Sequence, residues 1–328
     1  MKQLSAQVVS RLQAEMRAPD LSGTRYRLLR YLARGGMGSV WLVEDTVLER
    51  QVALKVLDLA APADDLAERL LQEGRILARV EHPGIVPVHD AGTLVDGRAF
   101  YCMKYVEGQT LGQHVVSQSL PDRLRLLERI AEPVDFAHSR GFIHRDLKPE
   151  NIMIGTFGEV LVMDWGLAKV GVTGLKPEVA SILGPVHTPS RVTAHGSVLG
   201  TAGYMSPEQA LGNSQVDHRT DIFSLGAILR FLLTRSEPGD LPAVSPGVPR
   251  PLHAICEKAM AADPNARYQS VGEMTADLAH YRNGAPVSAY PESLLERAAR
   301  IYTRHRAAVA LVAIYLLMRL LFILLARR

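Results

Sequence analysis

Ile143-His144-Arg145-Asp146-Leu147-Lys148-Pro149-Glu150-Asn151, followed a dozen residues later by Met163-Asp164-Trp165-Gly166, is the stretch on which the reading of this 328-residue chain turns. Each run holds an acid with an assignable task. Asp146 has a cation, Lys148, two residues on, while Asn151 and Asp164 offer a neutral and an anionic oxygen. That donor pair suits magnesium, a hard ion that keeps several waters and binds phosphate oxygens. The set reads as a phosphoryl-transfer centre, where charge spreads over equatorial oxygens and positioned cations do most of the catalysis.

Working outward, residues 26–105 are mostly strand-like, with β-branched and apolar alternation at 26–32, 40–43, 51–57 and 99–105. One helix is predicted within them, at about 63–80, where Leu66, Leu70, Glu73 and Leu77 share a stripe. An acid on that buried face needs a partner, since an unpaired buried carboxylate costs several kcal/mol. After Val106 the character turns helical. Asp122 is expected to cap a helix running to Ser139 with Gly141 as its stop, Pro133 is expected to kink it, and further helical periodicity covers 220–234, 252–262 and 271–282. Residues 167–199 carry many Gly, Pro, Ser and Thr without a period, and a loop of that length is usually functional or disordered.

Composition sets the bounds: 47% apolar and 22% charged residues describe a globular protein. A net charge of +3 with no basic run interleaved with aromatics gives nucleic-acid binding no support. Cys102 and Cys256 lie far apart without metal-ligand spacing and are expected to be small buried hydrophobes in a reducing compartment. Residues 1–20 lack the apolar core of a secretory signal and read as an amphipathic or frayed extension.

Taken together, residues from about 26 to 282 resemble a eukaryotic-type Ser/Thr protein kinase domain, most like the membrane-associated kinases of bacteria. The resemblance implies an α+β, bilobal protein-kinase fold: an N-terminal helical extension at 1–23, an N-lobe at 24–105, a C-lobe at 106–283, a basic juxtamembrane linker at 284–306 and a transmembrane helix at 307–326. It implies ATP and Mg2+ as cofactors and Ser/Thr-bearing proteins as substrates. By the same resemblance Asp146 orients the substrate hydroxyl, Lys148 neutralises the transferring phosphoryl, and Asn151 and Asp164 hold the metal. Trp165 stands where the family motif has Phe. His144 is read as a structural hydrogen-bonding residue.

Leu32-Ala33-Arg34-Gly35-Gly36-Met37-Gly38-Ser39-Val40 resembles the glycine-rich loop over the phosphates, with Ala33 in place of the first glycine. In Val52-Ala53-Leu54-Lys55 the alternation puts Ala53 and Lys55 on one face, and the resemblance implies that Ala53 lies beside adenine and Lys55 near the phosphates, with Glu73 as the partner of Lys55. Met103, Lys104 and Val106 match the hinge, the last two through backbone groups. Residues 200–208 resemble the peptide-docking end of the activation segment, with Thr201 placed to hydrogen-bond Asp146, Glu208 to pair with Arg267 and Asp221 to brace the catalytic loop. Arg145 is expected to receive a phosphate on that segment, at Ser190, Thr193 or Ser197. The short stretch 236–251 implies a reduced substrate-docking surface.

Residues 307–326 are an apolar run interrupted only by Arg319. Its twelve Leu, Ile, Phe and Val residues favour insertion by about 4–7 kcal/mol, against about 2.5–3.5 kcal/mol for the arginine. Arg297, Arg300, Arg304 and Arg306 precede the run and Arg327 and Arg328 follow it, so the positive-inside bias places the domain in the cytoplasm, on a bacterial inner membrane. A buried or interfacial helix is the alternative, and in a spanning helix Arg319 would face a partner helix carrying an acid. The rivals to a kinase are a nucleotide-binding pseudokinase scaffold and a small-molecule phosphotransferase, and homodimerisation for autophosphorylation in trans is a further expectation.

Overall fold

Residues 18–34, 38–57, 81–115, 118–165, 203–212, 216–235, 247–304 and 306–326 are described by the computed structural model. The stretches expected as the helix at 63–80, most of the glycine-rich turn, the long loop and most of the N-terminal extension lie outside them. Of that extension, residues 18–23 form loop and turn, with Ser22 N–H donating to Asp20 Oδ1 at 2.9 Å.

Five antiparallel strands make the first lobe: β1 (Tyr26–Arg34), β2 (Gly38–Asp45), β3 (Arg50–Leu57), β4 (Val88–Thr93) and β5 (Ala99–Lys104), in the order β1-β2-β3-β5-β4. Alternation along β3 splits its side chains between two faces. Val52, Leu54 and Val56 join Trp41, Val43, Phe100 and Cys102 in one core, while Ala53 and Leu57 join Tyr101, Met103 and Val106 in the other. Lys55 belongs by period to the second face, and its strand partner in β5 is Tyr101. Gly38 is held against β3 so closely that a Cβ would lie 2.1 Å from the Val56 carbonyl oxygen.

The second lobe is helical. Its small sheet, β6 (Gly108–Thr110), β7 (Ile152–Gly155) and β8 (Val160–Val162), packs Leu161 and Met153 with Ala53, Tyr101 and Met103 of the first lobe. Its helices are α1 (Leu111–His114), α2 (Leu120–Ser139), α3 (Pro207–Ala210), α4 (Arg219–Thr234), α5 (Arg250–Ala259) and α6 (Val271–Arg282). The cap of α2 is Ser119 and not Asp122: Asp122 N–H donates to Ser119 Oγ at 3.4 Å, and Pro121, with its φ already helical, fits inside the first turn. The helix continues through Pro133, and Gly141, with φ +83°, follows its end.

Helix α4 is buried almost all round and packs so tightly on α5 that a Cβ on Gly226 would lie 2.7 Å from that of Ala259. The buried Arg123 guanidinium donates to the carbonyls of Leu232 and Leu233 and satisfies the C-terminal end of α4. Both cysteines are buried free thiols, and burial raises each to about 12, which leaves them as apolar packing groups.

The two lobes are stitched together where Ile85 bridges Val162: Val162 N–H donates to Gly84 O at 2.8 Å and Val86 N–H to Val162 O at 3.2 Å. Beyond α6 the chain is pinned to the second lobe by Asp277 and then forms α7 (Leu294–Arg304) and α8 (Arg306–Ala326). The expected linker is thus largely helical. Over the residues whose side chains are described, no helix is long and apolar enough to cross a membrane. Side chains at 301, 303–309, 313, 320, 321, 323, 324 and 326 lie outside that set.

Candidate active site

The loop from His144 to Asn151 takes its shape from one buried acid. Asp221, at the start of α4, accepts from the backbone N–H groups of His144 and Arg145, each at 2.8 Å, and from His138 Nε2 at 2.7 Å. Burial pushes the Asp221 carboxyl up, but the His138 hydrogen bond and charge, with the loop N–H groups, more than offset this and hold it below its ordinary value. The brace lets Arg145 adopt a positive φ of 67°, an uncommon conformation for a side chain of that size. On the far side Gln209 Nε2 donates to Arg145 O at 2.8 Å.

His144 is wholly buried. It accepts from Asp146 N–H through Nδ1 at 3.3 Å and donates from Nε2 to Met163 O at 2.9 Å, so a neutral ring with its proton on Nε2 satisfies both neighbours. Burial lowers its pKa and keeps it neutral. Trp165 packs its indole at 4.7 Å from the imidazole and is itself buried. The imidazole therefore links the loop bearing Asp146 to the strand end bearing Asp164, which is the structural role expected of it.

The charged groups converge on the cleft. Lys148 Nζ lies 2.8 Å from Asp146 Oδ2, and Asn151 Nδ2 donates to Asp146 O at 2.8 Å and to Oδ2 at 3.1 Å. Lys55 Nζ lies 2.9 Å from Asp164 Oδ1 and 5.5 Å from the centre of the Tyr101 ring. Met163 N–H donates to Asn151 O at 2.8 Å, which ties the two oxygen-bearing residues together. Burial raises the Asp164 carboxyl, while the charge and hydrogen bond of Lys55 outweigh that and hold it anionic.

The residues present fit a magnesium ion. Asn151 uses its amide N–H on Asp146, which leaves Oδ1 for a cation, and Asp164 is an anion beside it. Among the described residues no cluster of three or more His, Cys, Asp or Glu could hold a metal alone. Two protein oxygens completed by waters and phosphate are the usual magnesium arrangement.

Next to these charges lies an apolar recess. Ala53, Met103 and Val106, expected from the sequence, share a cluster with Val86, Tyr101 and Leu161, and Leu32, Val40, Met153 and Met163 pack against it. Met153, which sequence reasoning passed over, lies two residues beyond Asn151 on a strand, so the same alternation used for β3 would have found it. Lys104 N–H donates to Pro87 O at 3.0 Å, leaving its carbonyl as the group with a hinge role to play. Ala33 pairs with Val40 and Arg34 with Ser39, so β1 and β2 run paired to the edge of the turn. Gly35, Gly36, Met37, Glu73 and Thr201 lie outside the described residues.

Below the cleft Glu208 and Arg267 form a two-pronged pair, Nη1 to Oε1 and Nη2 to Oε2, both 2.7 Å. Ser206 Oγ and Thr220 Oγ1 both bond Gln209 Oε1, at 3.1 and 2.6 Å, which fixes the short helix α3 against α4.

Comparison with known proteins follows the same lines. The protein kinase domain model matches residues 26–269. The serine/threonine-protein kinase PknD of Protochlamydia amoebophila is 36% identical over 297 residues, which cover 79% of this chain and 30% of that one. A probable serine/threonine-protein kinase of Streptomyces coelicolor is 37% identical over 301 residues, covering 84% and 42%. The chain thus spans 30% of the length of the first of these curated relatives and 42% of the second. Among solved structures, the PknI kinase domain of Mycobacterium tuberculosis superposes with a TM-score of 0.58 at 27% identity, over 80% of this chain and 96% of that one.

Proposed function

Since the chain belongs to the protein kinase family, we propose that it transfers the γ-phosphoryl group of ATP to Ser or Thr hydroxyls of protein substrates. The observation that carries this reading is the convergence of Lys55, Asp146, Lys148, Asn151 and Asp164 on one cleft beside an apolar recess. A regulatory scaffold needs the recess but not a base held by a lysine and an amide.

In this reading the recess takes the adenine, with Lys104 C=O and Val106 N–H as its hydrogen-bonding edge. Lys55 is poised to exchange its contact with Asp164 for phosphate oxygens. Asp146 orients the substrate hydroxyl and accepts its proton, and Lys148 offsets charge on the transferring group. Asn151 and Asp164 would hold magnesium, which when bound neutralises the β- and γ-phosphate oxygens. Incubation with γ-labelled ATP, magnesium and peptides bearing Ser, Thr or Tyr, followed by phosphoamino-acid analysis, should give label on Ser and Thr. Label on Tyr alone, or only on small metabolites, would overturn the assignment.

Arg145 deepens the reading toward regulation. Its Nε is buried without a hydrogen-bond partner among the described residues, and Nη2 donates to Val216 O at 3.2 Å. A phosphate on Ser190, Thr193 or Ser197 would satisfy it. The apolar run 307–326 serves in this proposal as an anchor in the inner membrane, with the kinase on the cytoplasmic side. α8 has 21 residues and is about 32 Å long, and its described apolar side chains are mostly exposed. Carbonate washing of membranes should leave the full chain in the pellet, and release into the supernatant would rule the span out.

A further inference from the structure

Helix α7 is turned inside out relative to the domain that carries it. At about 100° per residue, Leu294, Leu295, Ala298, Ala299 and Tyr302 occupy one arc about 140° wide, and Glu296, Arg297 and Arg300 the other. In a helix docked on a soluble domain the apolar arc would face inward. Here Leu294 and Leu295 are 85% and 83% exposed, and Tyr302 is 60% exposed.

The edge held by the domain is polar. Glu296 accepts from the Tyr290 hydroxyl at 2.7 Å and from Ser293 N–H at 2.9 Å, and lies 3.7 Å from Arg250 at the start of α5. Tyr290 belongs to a strap fixed by Asp277, which accepts from Ser288 N–H at 2.7 Å, Ala289 N–H at 3.1 Å and the buried Tyr268 hydroxyl at 2.8 Å. The helix start is capped reciprocally, since Glu296 N–H donates to Ser293 Oγ at 3.3 Å. This is a fastened element with its greasy side outward.

From this geometry we infer that α7 lies in the surface of an anionic bilayer, apolar arc among the acyl chains, and orients the second lobe with Arg250 and Tyr290 toward the membrane. The inference rests on the anchoring proposed for residues 307–326. Continuity argues for lipid over a protein partner: α7 is followed after one residue by α8, whose described apolar side chains are also exposed. So does charge, because the exposed Arg297 lies beside the arc and Arg304 and Arg306 follow in the sequence, as anionic headgroups require, while Arg300 is held on the polar side by Glu292, Nε to Oε1 at 2.8 Å. Tyr302 has the amphipathic character favoured at headgroup depth.

The test uses the full chain in vesicles of phosphatidylglycerol and phosphatidylcholine, labelled with an environment-sensitive fluorophore at Ala298→Cys or, on the polar side, at Arg297→Cys. Both native thiols are buried. Brominated acyl chains should quench the label at 298 several-fold more than that at 297, and aqueous iodide should show the reverse order. Equal access of both labels to iodide in chains that survive carbonate washing overturns the inference and leaves the anchor standing. If carbonate strips the chain, the anchor falls, and quenching at 298 by added brominated vesicles then supports or overturns the inference on its own. Shielding at 298 that grows with protein density and ignores bromine would assign the face to a second copy of the chain and overturn it.

Discussion

At the scale of single residues, His144 and Glu208 show how far the motif is held by groups that never meet substrate. The His144 pKa is depressed below its unfolded value of about 6.5, so as the pH falls the unfolded chain takes up the proton first. Stability from this group is complete above about pH 6.5 and declines toward the depressed value, by up to about 1.4 kcal/mol per pH unit. Denaturant unfolding from pH 7 to 5 should show that slope, and His144→Phe should flatten it while lowering stability at pH 7 by about 1–3 kcal/mol, because Asp146 N–H and Met163 O lose their partner. An unchanged slope would mean that the ring titrates freely.

Glu208→Ala strands a wholly buried guanidinium and should cost about 3–5 kcal/mol in the same measurement. A loss below about 1 kcal/mol would show the pair to be dispensable. Asp146, Lys148, Asn151 and Asp164 were legible in the sequence because they sit within short runs. His138 and Gln209 were not, since they reach their partners across separations of 83 and 64 residues.

Among elements, the strands were the easiest to read, for a physical reason. Val52, Leu54 and Val56 on one face and Ala53 and Leu57 on the other meet two different cores, so packing keeps both faces of the strand largely apolar. Strand β4 escaped notice: Val88-His89-Asp90-Ala91-Gly92-Thr93 lies at the sheet edge, where only one neighbour constrains it. The start of α2 was misplaced because Asp122 and Ser119 each carry a capping oxygen, and only the backbone geometry around Pro121 selects the serine.

Glycine in the nucleotide-side hairpin serves packing as well as flexibility. Gly38→Ala would push a methyl to 2.1 Å from the Val56 carbonyl oxygen and force β2 off β3. We expect at least a tenfold weaker ATP affinity in a fluorescent-nucleotide titration, with unfolding cooperativity retained. Wild-type affinity would show that the strands yield without effect.

For the whole molecule, the two-lobed outline followed from the change from period two to helical spacing near Val106, and the structure puts the charged cluster and the apolar recess at the seam between lobes. What the sequence could not convey is how the C-terminal region is mounted. Within the stretch expected as a basic linker, Asp277 clamps a strap and α7 leaves the domain with its apolar arc outward. That arrangement depends on contacts between residues far apart in the chain, and composition alone carries no trace of it.

The central claim is that this cleft performs phosphoryl transfer and does more than bind nucleotide. The most direct measurement is autophosphorylation with γ-labelled ATP by the wild-type chain and by Asp146→Asn, with ATP affinity measured for both. The account predicts similar affinity, label on the wild-type chain and a loss of at least a hundredfold in the variant. Equal labelling of the two proteins, or no labelling of a wild-type chain that binds ATP, would contradict it.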